Sequence, residues 1–574
     1  MSCQKKRLPY GVASFRDIKQ GNFVFVDKTH FIKDLDELGS PYVLFLRPRR
    51  FGKTLLTTML QAYYDRSCSH EYDRLFHDTW IYKHGGNSQG RYFVLRFDFS
   101  GIGSTDVAAE FMTALREGVK DFFKRYPIQN SDEFVFANYT SPAEFMRFFF
   151  MRVADFVDNN LYIIIDEYDQ FANEILAENK QLFQQMTSTD GFLKNFYSVL
   201  KSKTANGMIS RIFMTGVTSV SVDSITSGFG IQRNISNLPA FAGSAGFAEA
   251  ELRRLIFETI DFSRSSMTPE CLLARMKDYY NGYRFSQTST ASVYNPSMCL
   301  YYLDAIQGAG SEPSDLFDPS FGIDGAKINN ILKLADENIV RGIVGAATNN
   351  GAVMLPNGAL SSSINLNKYG KFDRRNVLSI LFYMGCLTFS VGGGNELRCP
   401  NKVMQEQFFD YFFASVYGSV LGFDSGMLKS VFADLEHGNA DSLLRLVSDT
   451  LKISSGLHVL THFTEASLQM AVRFAMLTNP VYEIELEMEA KGSGYCDLLF
   501  RPKSSAPTGT ASHLIELKYL KKAEGSEMIV QRTMEEAVGQ LLRYADVEPA
   551  KSLPNLRKTA AVFVGLELAA VRSV

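Results

Sequence analysis

The sequence predicts an α/β protein with more than one domain, and three stretches support this prediction. The apolar run Tyr42–Leu46 leads through a basic turn into Gly52-Lys53-Thr54 and an apolar helical pattern. A second apolar run, Leu161–Ile165, ends in the acidic pair Asp166-Glu167. Near the end of the chain, Asp497 and the Glu516-x-Lys518 pair lie on two further strand patterns. Strands that alternate with helical patterns in this way are typical of an α/β fold.

Length and composition limit the kinds of protein that this sequence can encode. At 574 residues the chain is too long for one hydrophobic core, so roughly two to four domains are expected. The net charge of −3 excludes a global basic field, so any nucleic-acid surface must be local. The seven cysteines form no Cys-x-x-Cys pair, which predicts free thiols and argues against a zinc site. No apolar run reaches the roughly 18 residues of a membrane span.

The beginning of the sequence bears on localisation. It carries the basic run Lys5-Lys6-Arg7 and lacks the apolar core of a signal peptide. We interpret the basic run as solvated charge rather than as a nuclear address. An intracellular location, cytoplasmic or nuclear, is expected.

The stretch around Gly52-Lys53-Thr54 predicts a phosphate-binding loop. A strand, a basic turn and a helix start provide backbone N–H groups, a lysine for the outer phosphates and a hydroxyl for Mg²⁺. Gly52, Lys53 and Thr54 occupy those positions. The usual first glycine of the motif is replaced by Arg47. Whether Arg47 contacts phosphate is left open by the sequence.

Two later strands provide the partners that this loop requires. A continuous apolar run indicates a strand buried on both faces, and ligands bind at the carboxyl ends of such strands. Asp166 is therefore expected to hold Mg²⁺ through water, and Glu167 to polarise the attacking water. At the end of a further strand pattern, Thr215 is the first candidate for sensing the γ-phosphate and Thr218 the second. The core is expected over roughly residues 10–235.

The middle of the chain predicts a smaller module. Residues 377–385 have the pattern of a buried helix, residues 387–391 and 396–399 that of a hairpin, and Pro400-Asn401 the start of another helix. A helix, a hairpin and a helix in this order are winged-helix-like. Such modules either bind DNA or are structural, and the sequence does not decide between the two.

The C-terminal stretch predicts a second kind of chemistry. Glu516 and Lys518 are two apart in a strand and therefore share a face. Asp497 on the neighbouring strand can meet them. Two carboxylates and a lysine at one place suit Mg²⁺-assisted phosphodiester hydrolysis, with Asp497 and Glu516 holding the metal and Lys518 orienting or deprotonating water.

Taken together, these motifs resemble a family of uncharacterised proteins that join an AAA-ATPase-like domain to a C-terminal PD-(D/E)XK nuclease-like domain. In that family Arg-Arg-Phe-Gly-Lys-Thr is the usual form of the phosphate-binding loop. The resemblance is carried by Leu8-Pro9-Tyr10-Gly11, Val26-Asp27-Lys28-Thr29, Arg47-Pro48-Arg49-Arg50-Phe51-Gly52-Lys53-Thr54, Ile165-Asp166-Glu167-Tyr168-Asp169, Thr215-Gly216-Val217, Tyr279-Tyr280-Asn281-Gly282-Tyr283-Arg284-Phe285 and Tyr294-Asn295-Pro296.

The resemblance implies a domain order and adds residues to both sites. It implies a P-loop NTPase core of the AAA/ASCE type over residues 1–235 and a helical lid over 236–300. Arg284 of this lid is the candidate for a contact with the phosphates, and a structural ion pair or a stacking role is the alternative. A winged-helix-like middle follows over residues 301–440, and an α/β PD-(D/E)XK nuclease-like domain over 441–574. In the latter, Glu465 and Gln540 join Asp497, Glu516 and Lys518.

The function expected from both motif sets is ATP hydrolysis coupled to a Mg²⁺-dependent nuclease, with DNA favoured over RNA as the partner. ATP and Mg²⁺ are the expected cofactors, and a homo-oligomer is compatible with the sequence. Two alternatives stay open at this point. One is a nucleotide-switched signalling or scaffold protein with an inert nuclease fold, and the other is a nuclease whose P-loop domain is only a structural platform.

Overall fold

In the computed structural model the chain forms two compact units, Met1–Gln407 and Phe408–Val574. The boundary between them falls inside the predicted middle region. The residues that the structure describes are 5–128, 131–218, 231–313, 315–318, scattered positions from 328 to 343, 352–361, 372–391, 394–405, 407, 425–453, 463–476, 479, 481–490, 494–503 and, apart from 508, 506–574.

The first unit is organised around a five-stranded parallel sheet. Its strands are β1 (Tyr42–Leu46), β2 (Phe93–Asp98), β3 (Leu161–Asp166), β4 (Ile209–Gly216) and β5 (Arg233–Asn234). They lie in the order β2-β3-β4-β1-β5. Strand β4 therefore separates the strand of the phosphate-binding loop from the strand that ends in Asp166. This arrangement confirms the predicted parallel α/β core with an extra strand between the two motifs.

Helices cover both faces of this sheet because its strands are apolar on both sides. Among the larger ones, α6 packs on β2, α3 on β3 and α11 on β4. The helices are α1 (Phe15–Gln20), α2 (His30–Glu37), α3 (Lys53–Tyr64), α4 (Tyr72–Phe76), α5 (Trp80–His84), α6 (Val107–Arg125), α7 (Ser131–Phe136), α8 (Pro142–Val157), α9 (Gln170–Glu178), α10 (Lys180–Thr187) and α11 (Phe192–Ala205).

The rest of the first unit is mainly helical and carries a small antiparallel sheet. The helices are α12 (Glu249–Thr259), α13 (Pro269–Tyr280), α14 (Pro296–Ala309) and α15 (Arg374–Tyr383). The sheet has the order β6-β8-β7, with β6 (Val353–Met354), β7 (Thr388–Phe389) and β8 (Glu396–Arg398). The predicted buried helix and hairpin are thus present. The helix expected after Pro400 is described over 402–405, and its continuation lies outside the described residues.

The second unit is a mixed five-stranded sheet between helices. Its order is β13-β12-β11-β10-β9, and β11 and β12 are parallel whereas the other pairs are antiparallel. The elements are α16 (Ser425–Glu436), α17 (Asp441–Ile453), α18 (Glu465–Ala475), β9 (Tyr482–Ala490), β10 (Gly494–Pro502), β11 (Ser512–Leu520), α19 (Glu527–Ala545), β12 (Leu556–Val564) and β13 (Glu567–Ser573).

Each face of this second sheet has its own hydrophobic core. Helices α16, α17 and α18 pack against Leu498, Ile515 and Leu517 on one face. Helix α19 packs against Leu499 and Leu514 on the other. Helix α16 therefore belongs to this core, although the predicted middle region extends to residue 440. No helix in the described part of the chain is both long and apolar enough for a membrane span.

Candidate functional site

The phosphate-binding loop is shaped by its backbone. Gly52 precedes helix α3 with a φ of 82°, a left-handed conformation that costs glycine little and other residues more. The first helical residue, Lys53, is 3% exposed. Its ammonium donates to the carbonyl oxygens of Arg47 (3.1 Å) and Pro48 (3.2 Å). The lysine amine therefore lies inside the curve of the loop.

Glu167 faces this lysine across the loop. The Lys53 ammonium is 3.2 Å from Glu167 Oε1, while Oε2 is buried and has no hydrogen-bond partner among the described residues. Glu167 itself has a φ of 51°, which costs a non-glycine residue free energy and clusters at functional sites. Burial raises the pKa of Glu167, and the charge of Lys53 opposes that rise.

Asp166 is fully buried at the end of β3. Its Oδ2 accepts a hydrogen bond from the Thr57 hydroxyl at 3.1 Å and lies 3.4 Å from Arg96 Nη2. Its Oδ1 is buried without a partner in the described part of the chain. Burial raises the pKa of Asp166, and the charges of Arg96 and Lys53 work against the rise. Thr57 and Arg96 were not identified from the sequence.

A cavity of about 710 Å³ opens beside the loop. Gly52, Lys53, Thr54 and Glu167 line it, together with residues 9–13 and 244–247. This volume is within the usual range for small-molecule sites.

Four other candidates for the nucleotide site are not among the residues that line this cavity. Asp166 and Thr215 are fully buried at strand ends, and the Thr215 hydroxyl has no hydrogen-bond partner among the described residues. The second candidate sensor, Thr218, is engaged elsewhere: its amide and hydroxyl both donate to Asp169, at 2.7 and 2.9 Å. Arg284 is also absent from the cavity wall, so the structure does not bring it to the expected phosphate position.

Arg47 has a structural environment rather than a ligand-facing one. It is 1% exposed, and its guanidinium donates to the carbonyl oxygens of Leu46, Ser236 and Phe241 at 2.7–2.8 Å. The rings of Phe45 and Phe285 lie 4.4 and 4.1 Å from its guanidinium carbon. Burial lowers the pKa of Arg47 to about 9, above neutral pH, so the side chain is charged and its hydrogen bonds join the loop to the chain after β5.

We therefore expect Arg47→Gly, which restores the usual first glycine, to destabilise the first unit by about 3–5 kcal/mol. Three buried carbonyls lose their donor, and a cavity forms between two aromatic rings. The single tryptophan, Trp80, lies in this unit, so urea unfolding followed by its fluorescence measures the effect. The exposed Arg91→Gly is the matched control. Unchanged stability with lost nucleotide binding would instead place Arg47 at the phosphates.

The C-terminal candidates meet on the second sheet. The Lys518 ammonium is 2.8 Å from Glu516 Oε1 and 3.8 Å from Glu465 Oε1. Asp497 Oδ2 accepts the backbone N–H of Leu517 at 2.6 Å, so this side chain is held against β11. The structure therefore brings Glu465, Asp497, Glu516 and Lys518 together, because alternation along β11 places Glu516 and Lys518 on one face.

Burial and the repulsion between like charges are the main influences on the pKa values of the two carboxylates, Asp497 and Glu516. Desolvation and the Glu516 charge raise the pKa of Asp497 to about 7. Burial also raises the pKa of Glu516, and Lys518 opposes this. The neighbouring carboxylates raise the pKa of Lys518 despite its desolvation, so the lysine is protonated at neutral pH. Glu516 Oε2 is buried and lacks a partner among the described residues.

Helix α18 adds two contacts to this site, and helix α19 carries the remaining candidate, Gln540. On α18, Gln469 Nε2 donates to Asp497 Oδ1 at 2.6 Å, and Glu465 Oε2 accepts the N–H of Tyr519 at 3.3 Å. Gln469 was not identified from the sequence, although it lies one turn after Glu465. On α19, Gln540 has a buried Oε1 without a partner in the described part of the chain. It lies on a helix that packs on β11 and β12.

The residues at both sites fit a divalent cation of the magnesium type. No described group of three or more His, Cys, Asp or Glu side chains has a metal-holding arrangement. Mg²⁺ does not need such a cage, because it usually keeps several waters and takes one or two carboxylates. Asp497 and Glu516 provide two mutually repelling carboxylates, with Glu516 Oε2 free to bind. At the first site, Asp166 Oδ1 and the Thr54 hydroxyl are the corresponding oxygens.

Comparison with individual proteins gives distant similarity. An uncharacterized protein in the vnfD 5' region of Azotobacter chroococcum mcd 1 is 25% identical over 300 residues, covering 51% of this chain and 51% of that protein. The match thus spans about half the length of this relative. The Walker-type ATPase PABY2304 of Pyrococcus abyssi aligns with 67% of this chain and 96% of its own, at 12% identity and a TM-score of 0.37.

Comparison with protein families is more specific. Residues 9–226 match the family described as predicted AAA-ATPase. Residues 463–572 match the PD-(D/E)XK nuclease superfamily. The first match contains Gly52-Lys53-Thr54, Asp166-Glu167 and Thr215, and the second contains Glu465, Asp497, the Glu516-x-Lys518 pair and Gln540. The chain therefore carries an AAA-ATPase-like domain followed by a C-terminal domain of the PD-(D/E)XK nuclease superfamily.

Proposed function

We propose that this protein hydrolyses ATP and that its C-terminal domain is a metal-dependent nuclease, with DNA favoured over RNA as substrate. One shared feature supports the proposal. Each site holds two carboxylates beside one lysine, Asp166 and Glu167 with Lys53 in the first and Asp497 and Glu516 with Lys518 in the second. Glu167 is partly exposed at the cavity, and the other three carboxylates are buried. In each site at least one buried carboxylate oxygen lacks a partner among the described residues. Buried acids without partners are costly unless a cation completes them.

The first site suits a nucleoside triphosphate. Backbone N–H groups at the start of α3, the positive helix end and the Lys53 ammonium all favour phosphate oxygens. Glu167 has a pKa raised by burial, which brings it closer to neutral pH and makes it a better proton acceptor than an exposed glutamate. Its partner Lys53 is shared with the phosphates when they enter, and this leaves Glu167 available to polarise water.

The second site suits a phosphodiester. When bound, Mg²⁺ supplies charge neutralisation at the scissile phosphate. Asp497 and Glu516 would hold the cation, with Gln469 and the Leu517 N–H fixing the Asp497 carboxylate. Because the pKa of Lys518 is raised, we assign this residue to orienting water and the phosphate rather than to removing a proton.

A cleavage assay with the purified full chain tests the proposal. Supercoiled plasmid, linear duplex DNA and RNA are incubated with and without ATP, Mg²⁺ and Mn²⁺. We expect metal-dependent cleavage of DNA and a change in its rate when ATP is added. Nucleotide binding without cleavage of any substrate would favour the inert scaffold. A cleavage rate that does not depend on ATP and is the same in Lys53→Ala as in the wild-type protein would favour the structural-platform alternative.

A further inference from the structure

Arg284 lies buried beside the small sheet, although it was expected at the nucleotide. Its side chain is 9% exposed. Its backbone is fixed by Thr388 of β7, whose hydroxyl accepts the Arg284 N–H at 2.6 Å and donates to the Arg284 carbonyl oxygen at 3.0 Å. The position of this arginine is therefore set by the hairpin β7–β8.

A second arginine lies on the same side of that hairpin. Arg398 is directly opposite Thr388 in the ladder, and directly opposed residues project from the same face. Ser390, two residues after Thr388, shares that face. Burial lowers the pKa of Arg284, and the positive charge of Arg398 lowers it further.

This pair of cations has unused donors. Nε and Nη1 of Arg284, Nε of Arg398 and the Ser390 hydroxyl are buried and have no hydrogen-bond partner among the described residues. Among the described residues, no carboxylate opposes the lowering of the Arg284 pKa. Buried charges in proteins are normally paired, and unsatisfied buried donors are rare.

We propose that Arg284 and Arg398, with the Ser390 hydroxyl, form a binding site for a phosphoryl oxyanion. A guanidinium group presents a planar fork of donors that matches phosphate oxygens. Two such forks and a hydroxyl suit a tetrahedral anion with several acceptor oxygens better than they suit one carboxylate. The site is separate from the nucleotide cavity, because neither arginine lines that cavity. The phosphoryl group comes either from a nucleic-acid backbone or from a free phosphate.

The test uses Lys53→Ala full-length protein in metal-free buffer, so that the first phosphate site is impaired and no cleavage occurs. Thermal unfolding is followed through Trp80, which reports the same unit. We expect added inorganic phosphate to raise the melting temperature by a few degrees. A second Arg398→Gln substitution should remove most of that shift and, without phosphate, should raise the melting temperature because it ends the repulsion with Arg284. Arg254→Gln, at an exposed arginine paired with Glu258, is the matched control.

A single-stranded oligonucleotide replaces phosphate in the second arm of the experiment. Stabilisation by both probes supports backbone phosphate as the ligand, and stabilisation by phosphate alone supports a free anion. Ser390→Ala, a milder change, should weaken either effect. The proposal is overturned if neither probe stabilises the protein, or if both stabilise Arg398→Gln as much as its parent. A lower melting temperature of Arg398→Gln without phosphate would also contradict it, because a purely structural arginine behaves in that way.

Discussion

Replacing Lys53 with alanine is expected to lower ATP hydrolysis by at least ~100-fold, the usual loss when one preorganised charge donor is removed from a transition state. The ammonium of Lys53 lies 3.2 Å from Glu167 and within the curve of the phosphate-binding loop. Without it, the outer phosphates lose their cation and the partly exposed Glu167 carboxylate loses its salt-bridge partner. Phosphate release measures turnover, and binding of a fluorescent ATP analogue measures affinity.

Glu167→Gln separates binding from hydrolysis at the same site. The amide keeps the size of the glutamate and an oxygen for Lys53, but it cannot accept the proton of water. We expect this variant to bind ATP and to hydrolyse it poorly, whereas Lys53→Ala should lose both. Trp80 fluorescence melts show whether either variant is folded. Normal turnover in folded Lys53→Ala would remove Lys53 from the site.

The fold was predictable because its signals are local. The apolar runs of β1 and β3 are unbroken, and β4 has the shorter apolar run Ile212–Met214 after Ser210 and Arg211. Each ends in the polar or glycine-containing turn that its role requires. Alternation along β11 was sufficient to place Glu516 and Lys518 on one face. In each of these cases the sequence spacing alone defines the geometry.

The surroundings of both sites were harder to predict because they depend on long-range packing. Thr57 reaches Asp166 from one turn into α3, and Arg96 reaches it from the neighbouring strand. Helical spacing from Thr54 could have suggested Thr57, but the choice of Arg96 needs the strand order. Gln469 lies four residues after Glu465, and this helical spacing could have placed both side chains on the same face of α18.

Two arginines show the limit of motif reading most clearly. Arg47 takes the place of a motif glycine, yet its hydrogen bonds are to the chain after β5 and its guanidinium lies near Phe285. Arg284 lies in a stretch that resembles a lid, yet its backbone is fixed by a hairpin over a hundred residues later in the chain. Neither environment can be inferred from neighbouring residues. The assignment of the other candidate residues to catalysis and binding stays a prediction.

Replacing Asp497 with asparagine is expected to abolish nucleic-acid cleavage while ATP hydrolysis continues. The substitution removes one of the two carboxylates that would hold the metal. The Asp497 side chain accepts hydrogen bonds from Gln469 and from the Leu517 N–H, and asparagine can keep both if the Gln469 amide turns over. Plasmid nicking and phosphate release, measured on one preparation, test the two halves of this expectation. Glu489→Gln, at an exposed carboxylate of β9, is the matched control.

The same variant has a second, thermodynamic consequence whose sign follows from the raised pKa of Asp497. This pKa is about 7 in the fold against an ordinary value of 3.8. Between those values the folded protein binds the proton more tightly than the unfolded chain, so this group makes stability fall as the pH rises. At pH 8 without metal, Asp497→Asn should therefore stabilise the second unit, on the order of 2 kcal/mol.

Added Mg²⁺ or Mn²⁺ should stabilise the wild-type protein and not the variant. Equal metal stabilisation of both proteins would show that the cation binds elsewhere, and destabilisation by Asp497→Asn at pH 8 would show that the carboxylate is structural.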